Sequence, residues 1–187
     1  MKVLKGGADC GVVVMGIVLA ASLAGNVVLG WKLRSVWSPR AGGVQVGATF
    51  PTIEVVSQEG RRERLSFKGA QPTVLYVMSP ACVWCKKNQE GANALYRSIK
   101  GGYRVVGLFT TSENLAQYLK DHPVEFPSYT LASTEVVRSL GLDATPQTVV
   151  ISPAGKVERA WMGAYLPERV AEIEKYFAIS SIGTKVR

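Results

Sequence analysis

Cys82 and Cys85 are the residues whose type and spacing point most directly to chemistry. Only Val83 and Trp84 separate them. An apolar run, Val74-Leu75-Tyr76-Val77-Met78, leads through Ser79-Pro80-Ala81 into the pair, and a helical pattern from Lys86 to Lys100 follows. A strand that turns into a helix places both sulfurs at a helix N-terminus. Unpaired backbone N–H groups and the positive end of the helix dipole favour a thiolate there. Lys86 and Lys87 add positive charge and are the candidate thiolate-tuning residues. The thiolate is the nucleophile of thiol–disulfide exchange, so this stretch predicts a redox-active dithiol with Cys82 reactive near neutral pH.

The elements that must hold this dithiol can be read from the rest of the chain. The sequence has 187 residues and three cysteines, Cys10 being the third. One segment near the N-terminus is non-globular in pattern, which leaves one domain of about 145 residues, enough for a real core. A single pair plus one isolated cysteine does not make a disulfide framework. The balance is basic, with 22 Lys+Arg against 14 Asp+Glu and a net charge of +8. The densest basic feature is only Arg61-Arg62 with Arg64, so no nucleic-acid partner is expected. A diffuse positive face suits an anionic lipid surface or an acidic partner.

Val12 to Trp31 carries no charge, and Asn26 is its one strongly polar side chain. A helix of about 20 such residues spans a bilayer. Lys2 and Lys5 precede it and Lys32, Arg34 and Arg40 follow, so the flanking charges are close to balanced and lean slightly against a cytoplasmic N-terminus. The rival reading is a cleaved signal peptide, with Ser22-Leu23-Ala24 as the small-residue site. The apolar character continues past that site to Trp31, which favours an uncleaved anchor. Cys10 is read as a thiol beside the membrane with no assigned role.

The expected organisation is a cytoplasmic N-terminus over 1–11, a transmembrane anchor (or signal peptide) over 12–31, a linker over 32–43, a folded domain over 44–178 and a flexible tail over 179–187. Within the domain, Ile53–Val56 and Glu63–Phe67 are expected as short strands around Gln58-Glu59-Gly60. Thr73–Met78 and Arg104–Thr110 are buried strands. The helix after the cysteines stops at Gly101-Gly102. Ser112 is expected to cap a helix through Asp121, with His122 at its C-terminal end. Phe126–Tyr129 reads as a loop or short extended piece. Ser133 or Thr134 caps a helix ending at Gly141. Gln147–Ser152 and Val157–Met162 form a hairpin, and Pro167 opens a last helix to Phe177. Strands alternating with helices make an α/β domain whose site lies at the carboxyl end of the first central strand.

A dithiol after a strand, with Thr145-Pro146 just before a later strand, resembles the thioredoxin fold. The lead-in Val46-Gly47-Ala48-Thr49-Phe50-Pro51 and the segment Gly141–Gly163 make it more similar to the membrane-tethered redoxin branch, the TlpA- and ResA-like thiol–disulfide oxidoreductases. The resemblance covers 44–177. It implies a thioredoxin-like fold, a central mixed sheet flanked by helices, preceded here by a transmembrane helix. It implies that Cys82 is the attacking thiol and Cys85 the buried resolving thiol. Pro146 matches the cis-proline of the fold. Thr145 would lend backbone groups to a docking substrate strand, and Trp84 would be an exposed aromatic contact for partners. The partners implied are disulfide- or thiol-containing envelope proteins and a transmembrane thiol electron donor. The chain would be a single-pass membrane protein with its domain on the extracytoplasmic side, and no cofactor is implied.

Two departures from the resemblance stand out. ResA-like proteins carry an acidic residue where this chain has Asn88, and thioredoxins carry a buried aspartate where it has Tyr76. The proton carrier for the resolving thiol is therefore not where the resemblance places it. Three other functions compete. A peroxiredoxin-type peroxidase would keep Ser79 but needs a proline where Leu75 stands. A copper-delivery module of the Sco type has a wider cysteine spacing and would have to rely on His122. A zinc site lacks a second cysteine pair, and His122 is the sole histidine.

Overall fold

The computed structural model describes residues 8–36, 43–180 and Ile182. Two compact units divide it, Met1–Ala41 and Gly42–Arg187. In the first, α1 spans Ala8–Val36. Its stretch Gly11–Val28 is long and apolar enough to cross a membrane by length and composition. An α-helix satisfies its own backbone groups, as a bilayer interior requires. Asn26, the polar exception, returns its Nδ2 to the Ser22 carbonyl at 2.9 Å and so covers its own donor. The Cys10 side chain, half of the expected linker (37–42) and the last five residues lie outside the described residues.

The second unit opens with β1 (Ile53–Ser57) and β2 (Arg62–Leu65), an antiparallel pair. Then come β3 (Thr73–Met78), α2 (Val83–Ile99) and β4 (Arg104–Phe109). After them follow α3 (Leu115–Asp121), β5 (Ser128–Leu131) and α4 (Thr134–Ser139). The chain closes with β6 (Gln147–Ile151), β7 (Val157–Met162) and α5 (Pro167–Phe177). All seven strands join one sheet in the order β2-β1-β5-β4-β3-β6-β7. β3 pairs parallel with β4 and antiparallel with β6. A mixed sheet with helices on its faces is the architecture the sequence predicts.

β3 is buried at every residue because both its faces are covered. Val74, Tyr76 and Met78 point into the core that α2 and α5 share, with Leu95, Trp161 and Ile173. Leu75 and Val77 alternate to the opposite core, with Val106, Val149 and Val137 of α4. The strand therefore ends between two packed layers, and the residues after Met78 start from a fixed point.

The structure corrects four expectations. Of the two readings of Phe126–Tyr129 the extended one holds, but shifted toward the C-terminus, because Ser128–Leu131 is a full sheet member between β1 and β4. It is too short to show alternation, and pairing on both edges supplies the hydrogen bonds that its own sequence does not announce. Ser112 does not cap α3. Asn114 holds the N-cap position at φ 57° without a side-chain bond, and Ser112 contributes only its carbonyl to Leu115 N–H at 3.2 Å. Asn tolerates that left-handed conformation better than most residues. The second strand ends at Leu65 rather than Phe67, whose side chain turns into the core against Phe50 at 4.7 Å. The tail expected to be free from 179 is held at Ile182, which is buried and donates its N–H to Glu174 Oε1 at 2.8 Å.

Gly107 of β4 sits opposite Tyr76 of β3. A Cβ there would lie 2.9 Å from Ser128 Cβ, 3.0 Å from Met78 Cε and 3.0 Å from Phe126 Cε2. This close approach is what lets the short β5 and the loop before it settle onto the sheet. Gly107→Ala is expected to lower stability by about 1–3 kcal/mol through overpacking, read as a lower urea midpoint at unchanged slope.

Candidate active site: a dithiol at a helix start

β3 delivers the chain to Ser79, whose carbonyl accepts the Cys82 N–H at 3.1 Å. Cys82 is the N-cap of α2, in extended conformation. Its sulfur takes the role that a Ser or Asp oxygen plays at other helices, accepting the Cys85 N–H at 3.1 Å. Both cysteines are free thiols. Cys82 is half-buried and Cys85 is fully buried. The helix thus begins at the first sulfur, three residues earlier than the pattern from Lys86 suggests, and carries the second inward.

A separate segment closes over the first sulfur. The Thr145–Pro146 peptide bond is cis. Thr145 turns its carbonyl to Cys82, whose S–H donates to it at 3.4 Å. This segment is braced from below. Gln147, buried at the start of β6, donates Nε2 to the Gly141 carbonyl at 2.9 Å and to that of Ala144. Its Oε1 accepts the Val44 N–H at 3.4 Å. Pro146 in turn accepts the Gly163 N–H at 2.8 Å through its carbonyl. Cys82, Cys85, Thr145 and Pro146 therefore lie together in the fold.

Trp84 lies at the surface, half exposed, and Val83 beside it is also exposed. Lys87 Nζ stands 5.3 Å from the centroid of the Trp84 ring, a cation–π distance. Lys86 faces a hollow that it shares with Asn114, Tyr118, Asp121 and His122. Among the described residues neither lysine hydrogen-bonds a sulfur, so whatever they contribute to the thiolate acts through charge alone. His122 ends α3 as its C-cap and stacks on Tyr118 at 5.1 Å.

Gln147 is a site residue that sequence reading missed. Its signal was present as a polar side chain opening a strand that is otherwise apolar on both faces, where a buried amide must find partners. Asn88 is the other. It follows Cys85 by one turn, is fully buried, and links α2 to two other elements. Its Nδ2 donates to the Tyr76 hydroxyl at 2.9 Å, and its Oδ1 accepts the Tyr165 N–H at 2.7 Å.

Burial pushes the Cys85 thiol up to about 12, and its hydrogen bond with Cys82 adds to the rise. A strand that ends in an N-cap thiol, with a second thiol buried behind it in a mixed α/β sheet, defines a thioredoxin-like oxidoreductase. Residues 46–160 match the AhpC/TSA family, and the chain belongs to that family. It is 24% identical over 163 residues to the thiol–disulfide oxidoreductase ResA of Bacillus cereus, covering 85% of this chain and 92% of the relative. The thioredoxin domain of a Bacteroides vulgatus thiol–disulfide oxidoreductase superposes with a TM-score of 0.58 at 18% identity, covering 72% of this chain and 99% of that one. StoA from Bacillus subtilis does so with a TM-score of 0.53 at 19% identity, covering 68% and 97%. The resemblance to the ResA-like branch read from the sequence is borne out.

Two measurements check this geometry. In the native reduced protein, iodoacetamide should label Cys82 on the order of a hundredfold faster than Cys85, as expected for an accessible thiol against a buried one; mass spectrometry of the peptides reports the ratio. Stability should also depend on alkaline pH. The Cys85 thiol titrates near 9.0 when exposed and near 12 when folded. Its contribution is complete below about 9 and is lost as pH rises toward 12, because the unfolded chain gives up that proton first. Reduced wild type should lose denaturant resistance over that window more steeply than Cys85→Ala.

Proposed function

We propose that this chain is a membrane-anchored thiol–disulfide oxidoreductase that reduces disulfides of envelope proteins on the extracytoplasmic side. The observation that carries the reading is the asymmetry of the dithiol: an accessible Cys82 sulfur at the helix start and a buried Cys85 one turn behind it. In this reading the Cys82 thiolate attacks a substrate disulfide and forms a mixed disulfide, releasing one substrate thiol. Cys85 then attacks Cys82 Sγ, the bond to the substrate breaks, and the second substrate thiol leaves. Two electrons pass from the dithiol to the substrate, and Cys82–Cys85 becomes the disulfide.

Thr145 and Pro146 line the approach to Cys82, and the Thr145 backbone is placed to receive an extended substrate segment beside the sulfur. The exposed Trp84 offers an aromatic contact next to it. Lys86 and Lys87 favour the thiolate through their charge. Residues 12–31 within α1 serve as the single-pass anchor. A reductant outside the cytoplasm must be recharged, so a transmembrane thiol donor is the implied partner. No cofactor is required by this chemistry.

The peroxidase alternative asks for one peroxide-reactive thiolate, whereas this site holds a second thiol directly behind the first. That arrangement favours disulfide exchange.

The experiment is substrate trapping with the full-length, membrane-inserted chain. Cys85→Ser should accumulate mixed disulfides with envelope proteins, and Cys82→Ser should accumulate none. A Cys82–Cys85 potential below about −200 mV would agree with a reductant, and one near −120 mV would make the protein an oxidant instead. Absence of trapped species together with rapid peroxide consumption would replace this reading with the peroxidase.

A further inference from the structure

The loop that carries Thr145 is fixed at both ends and held loosely between them. On one side Leu142 is fully buried and donates its N–H to the Val137 carbonyl at 2.8 Å. On the other, Pro146 is held by the Gly163 N–H, and Gln147 enters β6. Among the described residues, Asp143, Ala144 and Thr145 make no backbone-to-backbone hydrogen bond. Segments without such bonds are the easily displaced parts of a fold. Yet Thr145 has to keep its carbonyl on Cys82 and its backbone open to an incoming chain.

One side chain supplies the missing hold. Gln147 is 1% exposed, and its amide can sit only one way. Nε2 faces the carbonyls of Gly141 and Ala144, which can only accept, and Oε1 faces the Val44 N–H, which can only donate. Gln147 thus ties the loop to a strap, Gly43–Val44. Loop and strap also touch directly. A Cβ at Gly141, where φ is +69°, would lie 2.6 Å from the Gly43 carbonyl oxygen and 2.8 Å from its carbon. Only glycine at 141 lets the two backbones lie this close. A Cβ on Gly43 would in turn meet Met162 Cε at 2.6 Å, so the strap is seated between the loop and the end of β7. The strap precedes residues 46–160, so this half of the hold lies outside the stretch matched to the family.

We propose that Gln147 and the Gly43–Val44 strap form a positioning clip for the docking loop, and that the clip sets how tightly a protein disulfide is held at Cys82. This rests on the reading of the chain as a thiol–disulfide oxidoreductase whose Thr145 backbone receives an extended substrate segment. Gln147 is a positioning residue, since it acts through Thr145 and not on the sulfurs. An extended segment bonds well only to a backbone that already has the right geometry, and a loop that must be ordered on binding weakens the complex. With the clip closed, the loop is ordered before the substrate arrives. The gain therefore appears in the binding of a polypeptide. A small disulfide that lays no strand against Thr145 gains little from it.

The test uses reduced full-length protein in detergent micelles, with Cys10→Ser as background so that only the dithiol reacts. Insulin is the protein disulfide, with dithiothreitol recharging the dithiol, and dithionitrobenzoate is the small one. Gln147→Leu removes all three hydrogen bonds at nearly unchanged volume. It is expected to raise KM for insulin about tenfold, a loss the size of one net hydrogen bond, with a much smaller change in kcat. Its kcat/KM for dithionitrobenzoate should fall far less. Val44→Pro removes only the strap's donor and should give the same split at about threefold. A merely structural role would lower the folded fraction, which reduces kcat on both substrates and leaves KM in place. A KM for insulin unchanged in either variant overturns the proposal, and so does a loss shared equally by the two substrates. Val44→Pro decides the matter if Gln147→Leu cannot be purified. A background protein that reduces dithionitrobenzoate but not insulin also overturns it, because no polypeptide then docks at Thr145. If the background protein reduces neither, the oxidoreductase reading fails and takes this proposal with it; if it reduces both and the variants match it, the proposal alone fails.

Discussion

One hydrogen bond from a backbone N–H to a side-chain sulfur organises this site. Cys82 Sγ accepts the Cys85 N–H, so the same contact that starts α2 also holds the Cys85 backbone against the first sulfur. An N-cap must lie at the helix end, and a residue three positions on must lie within the first turn. The first sulfur is therefore left at the surface and the second is drawn into the core. The two thiols are chemically identical in the sequence, and this placement alone gives them different surroundings. Everything else in the domain serves to hold that difference: β3 fixes where the helix starts, and α2 is packed tightly enough to keep Cys85 dry.

The second support comes from a segment far along the chain. Thr145 meets Cys82 because β6 lies next to β3 in the sheet, antiparallel to it. The carboxyl end of β3 and the amino end of β6 therefore fall side by side. Gln147 then ties the turn before Thr145 to the Gly141–Ala144 loop and to Val44, and Gly163 ties Pro146 to the end of β7. Pieces from three parts of the chain converge on one sulfur through ordinary sheet geometry and four hydrogen bonds.

Behind the second sulfur the chain solves a harder problem. Burial strongly disfavours a thiolate there. Among the described residues no carboxylate is buried there, and neutral groups form a connected network through Asn88, Tyr165 and Tyr76. A neutral network avoids the large cost of a buried charge in the resting state. It also locks α2 to β3 and to the loop before α5, so the dithiol helix and the loop below Pro146 belong to one rigid frame.

Much of this was legible from local pattern. β3, β7 and α5 were bounded by periodicity, Gly and Pro, because a strand buried on both faces and an amphipathic helix each leave a signature within a few residues. The dithiol was visible from spacing, and Asn88 and Tyr76 stood out as departures. Other features depended on partners distant in sequence. The four-residue β5 exists because β1 and β4 pair with it from either side. Ile182 is held by Glu174 and the core, and Asn114 rather than Ser112 opens α3 because the preceding turn dictates its backbone. By itself the sequence determined which atoms can do redox chemistry and which helix carries them, since those follow from short-range order. Only the tertiary structure decided that Thr145 meets Cys82, and that Asn88 joins Tyr76 to Tyr165 in the core holding Cys85. Those contacts join residues whose proximity comes from sheet order and packing, and no local pattern encodes either.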